Sequence, residues 1–402
     1  MNNNKLTVLI FVSNYLPGYK SGGPVRTIAN LVEHLGDVYN FLIITKDRDF
    51  QDPNSYQNIR VNEWNKIDNS YVYYLSPDAL RFSTLKRILK STKHDILYLN
   101  SFFNFRFTIL PILANKLFSK HKKQIILAPR GEFSQGALVL KSFKKKLFIY
   151  TSSIIGLYKS VIFQASGDFE KNDIVDNLSN KHFLKIIIAP NLPPQPVFKG
   201  KKYQKRGKKN TLYRIVFLSR ISQMKNLEYA LIILSKVKIP VVFDIYGPIQ
   251  DKSYWNKCQK IIDNLPYNIV VKYLGEVKHE LVRETLESYD LFFLPTAGEN
   301  FGHVILESLS AGTPVLISDT TPWRNLQSLG VGWDISLSNR KEFIEIIEKI
   351  YAYNEVDYSQ LRKNAITYSK KVINDFNAIE ANKNLFNSAY KKELKINQSS
   401  NK

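Results

Sequence analysis

The 402-residue chain is two to three times the length of a common domain, and its 44% hydrophobic content supplies two packed cores rather than a disordered polymer. Its 57 Lys and Arg against 35 Asp and Glu leave a net charge of +22, and one Cys excludes a disulfide framework and any two-Cys or four-Cys zinc site. A reducing, cytoplasmic setting is expected.

Short runs of Ile, Val, Leu, Phe and Tyr alternate with helical patterns along the chain. In the first half, strands are predicted at 6–12, 41–45, 71–75, 96–99, 124–128, 161–165 and 185–189. The first of these, LTVLIFV, is the only signal-like segment. It has no small-residue cleavage site and runs into NYLPGYKSGGP, so it reads as a buried strand followed by a turn. No apolar run approaches the ~20 residues of a spanning helix. After Pro190, Pro193, Pro194 and Pro196 comes KGKKYQKRGKK at 199–209, with seven basic residues and no acidic one, an exposed linker by composition. Beyond it, strands are predicted at 214–218, 241–246, 269–274, 291–294 and 315–318, then helices at 358–368 and 375–392, with INQSSNK as a disordered tail.

Apolar strands without polar alternation, spaced by helices, form parallel sheets covered on both faces. Two doubly wound α/β (Rossmann-like) domains are therefore expected. The first spans 1–198 and is completed by a helix at about 372–392, and the second spans 210–371, with 393–402 as tail.

The chemistry concentrates in LPTAGENFGHVILESLSAGTPVLISD, residues 294–319. A buried strand, a polar loop, a helix beginning near His303 and a second strand place this loop at the carboxyl edge of a sheet, where ligands of such folds collect. The loop carries Glu299, and the helix carries Glu307 about one turn in. Between them the backbone of Phe301, Gly302 and His303 lies at the positive end of the helix dipole. Two carboxylates flanking an anion site suit a ligand with a phosphate centre and hydroxyls at both ends, as in a nucleoside diphosphate sugar.

This segment is similar to the donor-binding signature of family 4 retaining glycosyltransferases of the GT-B fold, and the resemblance extends over most of the chain. It implies two Rossmann-like domains facing a central cleft, with the last helix crossing back to the first domain. It also implies that Glu299 contacts the transferred sugar and Glu307 the ribose. FLSRISQMKN matches the family's basic pair, which implies that Arg220 and Lys225 hold the donor diphosphate. YKSGGPVRTIANLVEHL is similar to the family's cleft-facing loop, where Gly23 and Arg26 are the residues of interest.

APRGEFSQGALVLKSFKKKLF resembles a subgroup found in polysaccharide assembly. Well-studied members carry a His at the end of that strand. Here Pro129, Arg130, Gly131 and Glu132 stand in its place, leaving Arg130 or Glu132 as candidates for acceptor or cleft contacts. His94, His121 and His182 fall outside the motif and read as structural or exposed. Asp47-Arg48-Asp49 mimics the Asp-x-Asp metal motif of another glycosyltransferase fold without further support, and no metal or cofactor is implied. SGD with Phe169-Glu170 resembles the family's acid-capped helix start, and Trp323 reads as packing.

The expected activity is a retaining, metal-independent, hexosyltransferase-type transfer from a UDP-, GDP- or ADP-sugar to a glycan or lipid-linked acceptor. Cell-surface polysaccharide or lipopolysaccharide synthesis is the setting. A catalytically silent nucleotide-sugar binding protein and a nucleotide-sugar epimerase are the alternatives. Residues 136–160 mix Leu138, Val139, Leu140, Phe143, Leu147, Phe148 and Ile149 with Lys141, Lys144, Lys145 and Lys146, and Lys116, Lys120, Lys122 and Lys123 precede them. This pattern suits peripheral attachment to an anionic membrane surface, on the cytoplasmic face. Nucleic acid is the competing partner for so basic a chain, but no groove-reading motif accompanies the charge.

Overall fold

The computed structural model describes residues 5–118, 123–139, 142–178, 184–195 and 213–400, with side chains to residue 391. His121, His182, Lys120, Lys122, Leu140, Lys141 and the basic run 199–209 lie outside the described residues. The chain divides into two units, Met1–Pro194 with Asp375–Lys402, and Gln195–Asn374.

In the first unit the elements follow in the order β1 (Thr7–Phe11), α1 (Gly23–Leu35), β2 (Asn40–Lys46), β3 (Trp64–Ile67), β4 (Ser70–Leu75), α2 (Phe82–Ser91) and β5 (Ile96–Asn100). They continue with α3 (Leu110–Phe118), β6 (Gln124–Ala128), α4 (Gln135–Val139), α5 (Ser142–Ile154), β7 (Val161–Ala165), α6 (Asp168–Asn177) and β8 (Lys185–Ile188). The sheet order is β3-β4-β2-β1-β5-β6-β7-β8, and among the described residues only the β3–β4 pairing is antiparallel. Successive side chains of a strand point to opposite faces. Leu9 and Phe11 accordingly join the cluster that takes in Leu85, Ile112, Ile149 and Ile174, while Val8 and Ile10 join Ile28, Val32, Leu385 and Phe386.

The second unit contains β9 (Tyr213–Leu218), α7 (Leu227–Leu234), β10 (Val241–Tyr246), α8 (Lys252–Ile262), β11 (Ile269–Tyr273), α9 (His279–Glu287) and β12 (Leu291–Leu294). After these come α10 (His303–Ser310), β13 (Val315–Ser318), β14 (Gly332–Ile335), α11 (Arg340–Tyr351) and α12 (Glu355–Ile373). Its all-parallel sheet runs β11-β10-β9-β12-β13-β14. The order reverses between β9 and β12, so the chain leaves these neighbouring strands toward opposite faces and a crevice opens at their carboxyl ends.

The last helix, α13 (Phe376–Ser400), belongs to the first unit. Phe386 packs edge-on against Tyr39 at 5.2 Å and Tyr98 at 5.6 Å, and Asn382 Nδ2 donates to the Pro190 carbonyl at 2.8 Å. The expected tail from 393 is instead helical to Ser400. Lys392, Glu393, Leu394 and Lys395 are good helix formers, and no Gly or Pro interrupts them. Two further departures from expectation are β3, a short edge strand of sequence WNKI, and β14, GWDI, both too brief and polar for an apolar run to announce them. Within residues 136–160 the described helices are α4 and α5, and residues 140 and 141 between them lie outside the described residues.

Candidate active site

The loops leaving β9 and β12 are tied together by their backbones. The Met224 carbonyl accepts from Ala297 N at 2.8 Å and Thr296 Oγ1 at 2.9 Å, and Asn226 Nδ2 donates to the Pro295 carbonyl at 2.9 Å. Asn226 sits at φ 59°, a left-handed conformation that Asn tolerates, and this turns the chain into α7. From the turn that follows β13, Thr320 Oγ1 donates to the Thr296 carbonyl at 2.7 Å. Gly247, at φ 131° after β10, allows this packing, since a Cβ there would lie 2.0 Å from the Ser219 carbonyl oxygen.

These ties bring three predicted residues together. Lys225 Nζ forms an ion pair with Glu299 Oε2, and the lysine is 9% exposed. Burial pushes the Arg220 guanidinium pKa down while the nearby Glu299 charge acts in the opposite direction, leaving an arginine that stays cationic. Two cations from the β9 loop thus meet one carboxylate from the β12 loop at the switch point.

The start of α10 completes the group. Gly302 is its N-cap at φ 78°, and no side chain caps the helix. A Cβ on Gly302 would stand 3.0 Å from Glu299 Cγ, so the glycine leaves room for that side chain beside the helix end. The Phe301 ring lies 4.7 Å from His303 and 5.8 Å from Trp323, whose Nε1 donates to the Phe301 carbonyl. Trp323 therefore packs, as expected, and it also fixes the residue that enters the helix. A cation pair and an open helix N-terminus can stabilise charge developing on a leaving diphosphate.

Glu307 lies one turn inside α10, with Oε1 3.6 Å from His279 Nδ1 at the first position of α9. No motif announces His279, because its approach depends on the packing of α9 against α10. No residue spacing reports that contact.

The candidates of the first unit stand differently. Gly23 is exposed and opens α1, with Pro24 after it, but the left-handed turn at φ 63° belongs to Gly22. Arg26 is half-buried in the first turn, its N–H donating to the Gly22 carbonyl at 3.3 Å. Arg130, at φ 58°, donates to Asn100 Oδ1 at 3.0 and 2.8 Å, to Tyr98 Oη at 2.5 Å and to Asn191 Oδ1. Glu132 accepts from Ser101 Oγ at 2.6 Å and from the N–H groups of Phe102 and Phe103, and burial raises its pKa against those three donors. Both side chains are thus engaged by their own unit.

Asp49 accepts from Tyr19 N at 2.7 Å and Lys20 N at 3.1 Å, and Asp47 pairs with Arg48 at 2.8 Å, so this acidic pair holds loops. Glu170 binds Ser166 N at 2.8 Å and Gly131 N at 2.6 Å at the start of α6, as its motif suggested. His94 is buried with Nδ1 2.7 Å from the Thr92 carbonyl, and burial lowers its pKa.

Comparison with known proteins locates this geometry. Residues 198–372 match the family described as Glycosyl transferases group 1. An uncharacterized 41.2 kDa protein in the cps region of Klebsiella pneumoniae is 25% identical over 280 residues, covering 68% of this chain and 75% of that protein. Sucrose-phosphate synthase from Thermosynechococcus elongatus has a TM-score of 0.69 at 14% identity, over 96% of this chain and all 100% of the other. Anabaena HepE, solved in complex with UDP and glucose, has a TM-score of 0.67 at 13% identity, over 95% and 99% of the two chains. The structural likeness shows the GT-B fold class. Over residues 198–372, the chain is similar to the group 1 glycosyltransferases.

Proposed function

We propose that the chain is a retaining glycosyltransferase. It moves a sugar from a nucleoside diphosphate donor to a glycan or lipid-linked acceptor in cell-surface polysaccharide synthesis, at the cytoplasmic face of a membrane. The observation that carries this reading is the meeting of Lys225, Arg220 and Glu299 beside the uncapped start of α10, with Glu307 a turn further in. The cps-region relative supports the polysaccharide setting, and the UDP and glucose bound by HepE support the donor class.

Arg220, Lys225 and the helix end take the diphosphate and neutralise its charge as the sugar–phosphate bond breaks, the part a metal ion plays in other enzymes. Glu299 accepts hydrogen bonds from the sugar hydroxyls, and Glu307 does the same for the ribose. The acceptor hydroxyl attacks the anomeric carbon from the face the diphosphate leaves. Its proton passes to a donor phosphate oxygen, which retains configuration without a protein nucleophile.

Calorimetric titration with UDP-, GDP- and ADP-sugars, joined to a transfer assay, tests the reading. Glu307→Ala is expected to weaken nucleotide binding roughly tenfold or more, the order of a lost charged hydrogen bond. Glu299→Ala is expected to cut transfer far more than it weakens binding of the free nucleotide. Affinity and rate unchanged in both variants would remove the assignment.

A further inference from the structure

Helices α4 and α5 follow β6 in the first unit, and their sequence has a feature the transfer chemistry does not use. From residue 133 to 167 there is no Asp or Glu, while Lys141, Lys144, Lys145, Lys146 and Lys159 all fall within that span. The structure sorts the apolar residues of this span into two faces. Ile149 and Ser152 are buried, and Phe148 packs 5.8 Å from both Phe102 and Phe103. Lys145 turns inward with them, Nζ donating to the Ala137 carbonyl at 2.6 Å and lying 5.3 Å over the Phe103 ring.

The opposite face stays in solvent. Phe143 is 78% exposed, Leu147 51%, Tyr150 62% and Ile154 67%, with Val139 at 73% and Ile155 at 70% to either side. At about 100° per residue, the four on α5 fall within an arc of about 60°. Lys144 and Lys146, both exposed, lie on opposite flanks of that arc. Lys116 Nζ donates to the Gly156 carbonyl at 2.8 Å, which brings the end of α3, with 66%-exposed Leu117, against the segment that follows α5.

We infer that this face lies flat in an anionic lipid surface, with Val139, Phe143, Leu147, Tyr150, Ile154 and Ile155 among the acyl chains and Lys144 and Lys146 at the headgroups. A narrow apolar stripe with lysines on both flanks and no acidic residue in its own segment of sequence is the pattern of an interfacial helix. Long lysine stems let the charge reach the headgroups while the stripe inserts. A second copy of the chain is a poor occupant, because a two-fold contact would set these lysines against their own equivalents. No helix among the described residues is long and apolar enough to cross a membrane, so attachment is in the plane of the surface. This deepens the proposed function, on which it rests only for the lipid-linked acceptor that the attachment would serve.

The test is co-sedimentation of the full chain with vesicles of phosphatidylcholine mixed with phosphatidylglycerol, and with phosphatidylcholine alone. Phe143→Ser/Leu147→Ser/Ile154→Ser is expected to lower partition about 100-fold or more, from the loss of three buried apolar side chains. Lys144→Ala/Lys146→Ala is expected to lower it about 20-fold, on the anionic vesicles only. Absence of wild-type binding at low salt, or a triple variant that binds like wild type, would overturn the inference. So would a wild type that is dimeric through this face and ignores vesicles, or one whose face is covered by an acidic protein. Should the triple variant misfold, Phe143→Trp serves in its place, with quenching by brominated lipid beyond that of wild type expected and its absence decisive. Titration of the triple variant with nucleotide sugars separates the two readings. Vesicle binding without donor binding would remove the transferase reading alone, and donor binding without vesicle binding would remove this one alone.

Discussion

Two charged groups sit at the carboxyl ends of the two sheets, and they are wired differently. Arg130 and Glu132, after β6, spend their hydrogen bonds on Asn100, Asn191, Tyr98 and the Ser101–Phe103 backbone. Lys225 and Glu299 meet each other beside a helix start that no side chain caps. The first arrangement consumes its polar capacity in holding loops, while the second holds opposite charges together where phosphate and hydroxyl groups can exchange in. Charge at a sheet edge therefore separates into scaffold and chemistry according to what already satisfies it.

The largest effect that could break this contrast belongs to Lys225→Met. It removes a cation from the proposed leaving group and strands Glu299, so transfer should fall about 100- to 1000-fold, measured as kcat with saturating donor. Near-normal turnover would erase the distinction between the two sites. Next comes Arg130→Ala, expected to cost about 3 kcal/mol of stability in thermal or urea unfolding, because it leaves buried partners unmet. Donor affinity should be unchanged. A variant that melts normally but fails to transfer would place Arg130 in the path of substrate.

The smallest effect sharpens the scaffold side. Burial, with the neighbouring charges of Glu170 and Asp176, pushes Asp173 from its ordinary 3.8 up to about 6. The folded state thus holds that proton more tightly than the unfolded chain. The stability it contributes is complete below the ordinary value and is lost as pH rises through about 6. Asp173→Asn should match wild type in acid and melt at a higher temperature at neutral pH. Parallel melting profiles across that range would show the carboxyl to be inert.

The sequence was most readable where structure is continuous along the chain. Strands buried on both faces appear as mainly apolar runs, and β6, β7, β10, β12 and β13 begin and end where those runs do. β3 carries Asn65 and Lys66 in an edge hairpin, and β14 begins at Gly332, where a Cβ would lie 2.3 Å from the Val315 carbonyl oxygen. Neither has a run to detect. In the site, Glu299, Gly302 and Glu307 were legible because one loop and one helix carry them in order. The approach of Lys225 to Glu299 spans 74 residues and came from resemblance to a family, not from spacing. His279 had neither source. On α5 the composition of the basic helix was visible, but only the packed fold shows which apolar residues face inward.

The descent of α13 from the far end of the chain into the first unit has a consequence for biosynthesis. A nascent polypeptide has every strand of both sheets in hand before Phe376 is added, yet Tyr39, Phe41 and Tyr98 still lack Phe386 against their rings. The half that leaves the ribosome first is thus sealed last. A premature stop after α12 would spare every proposed donor-binding residue of the second unit and damage the other half of the protein, whose own codons are intact.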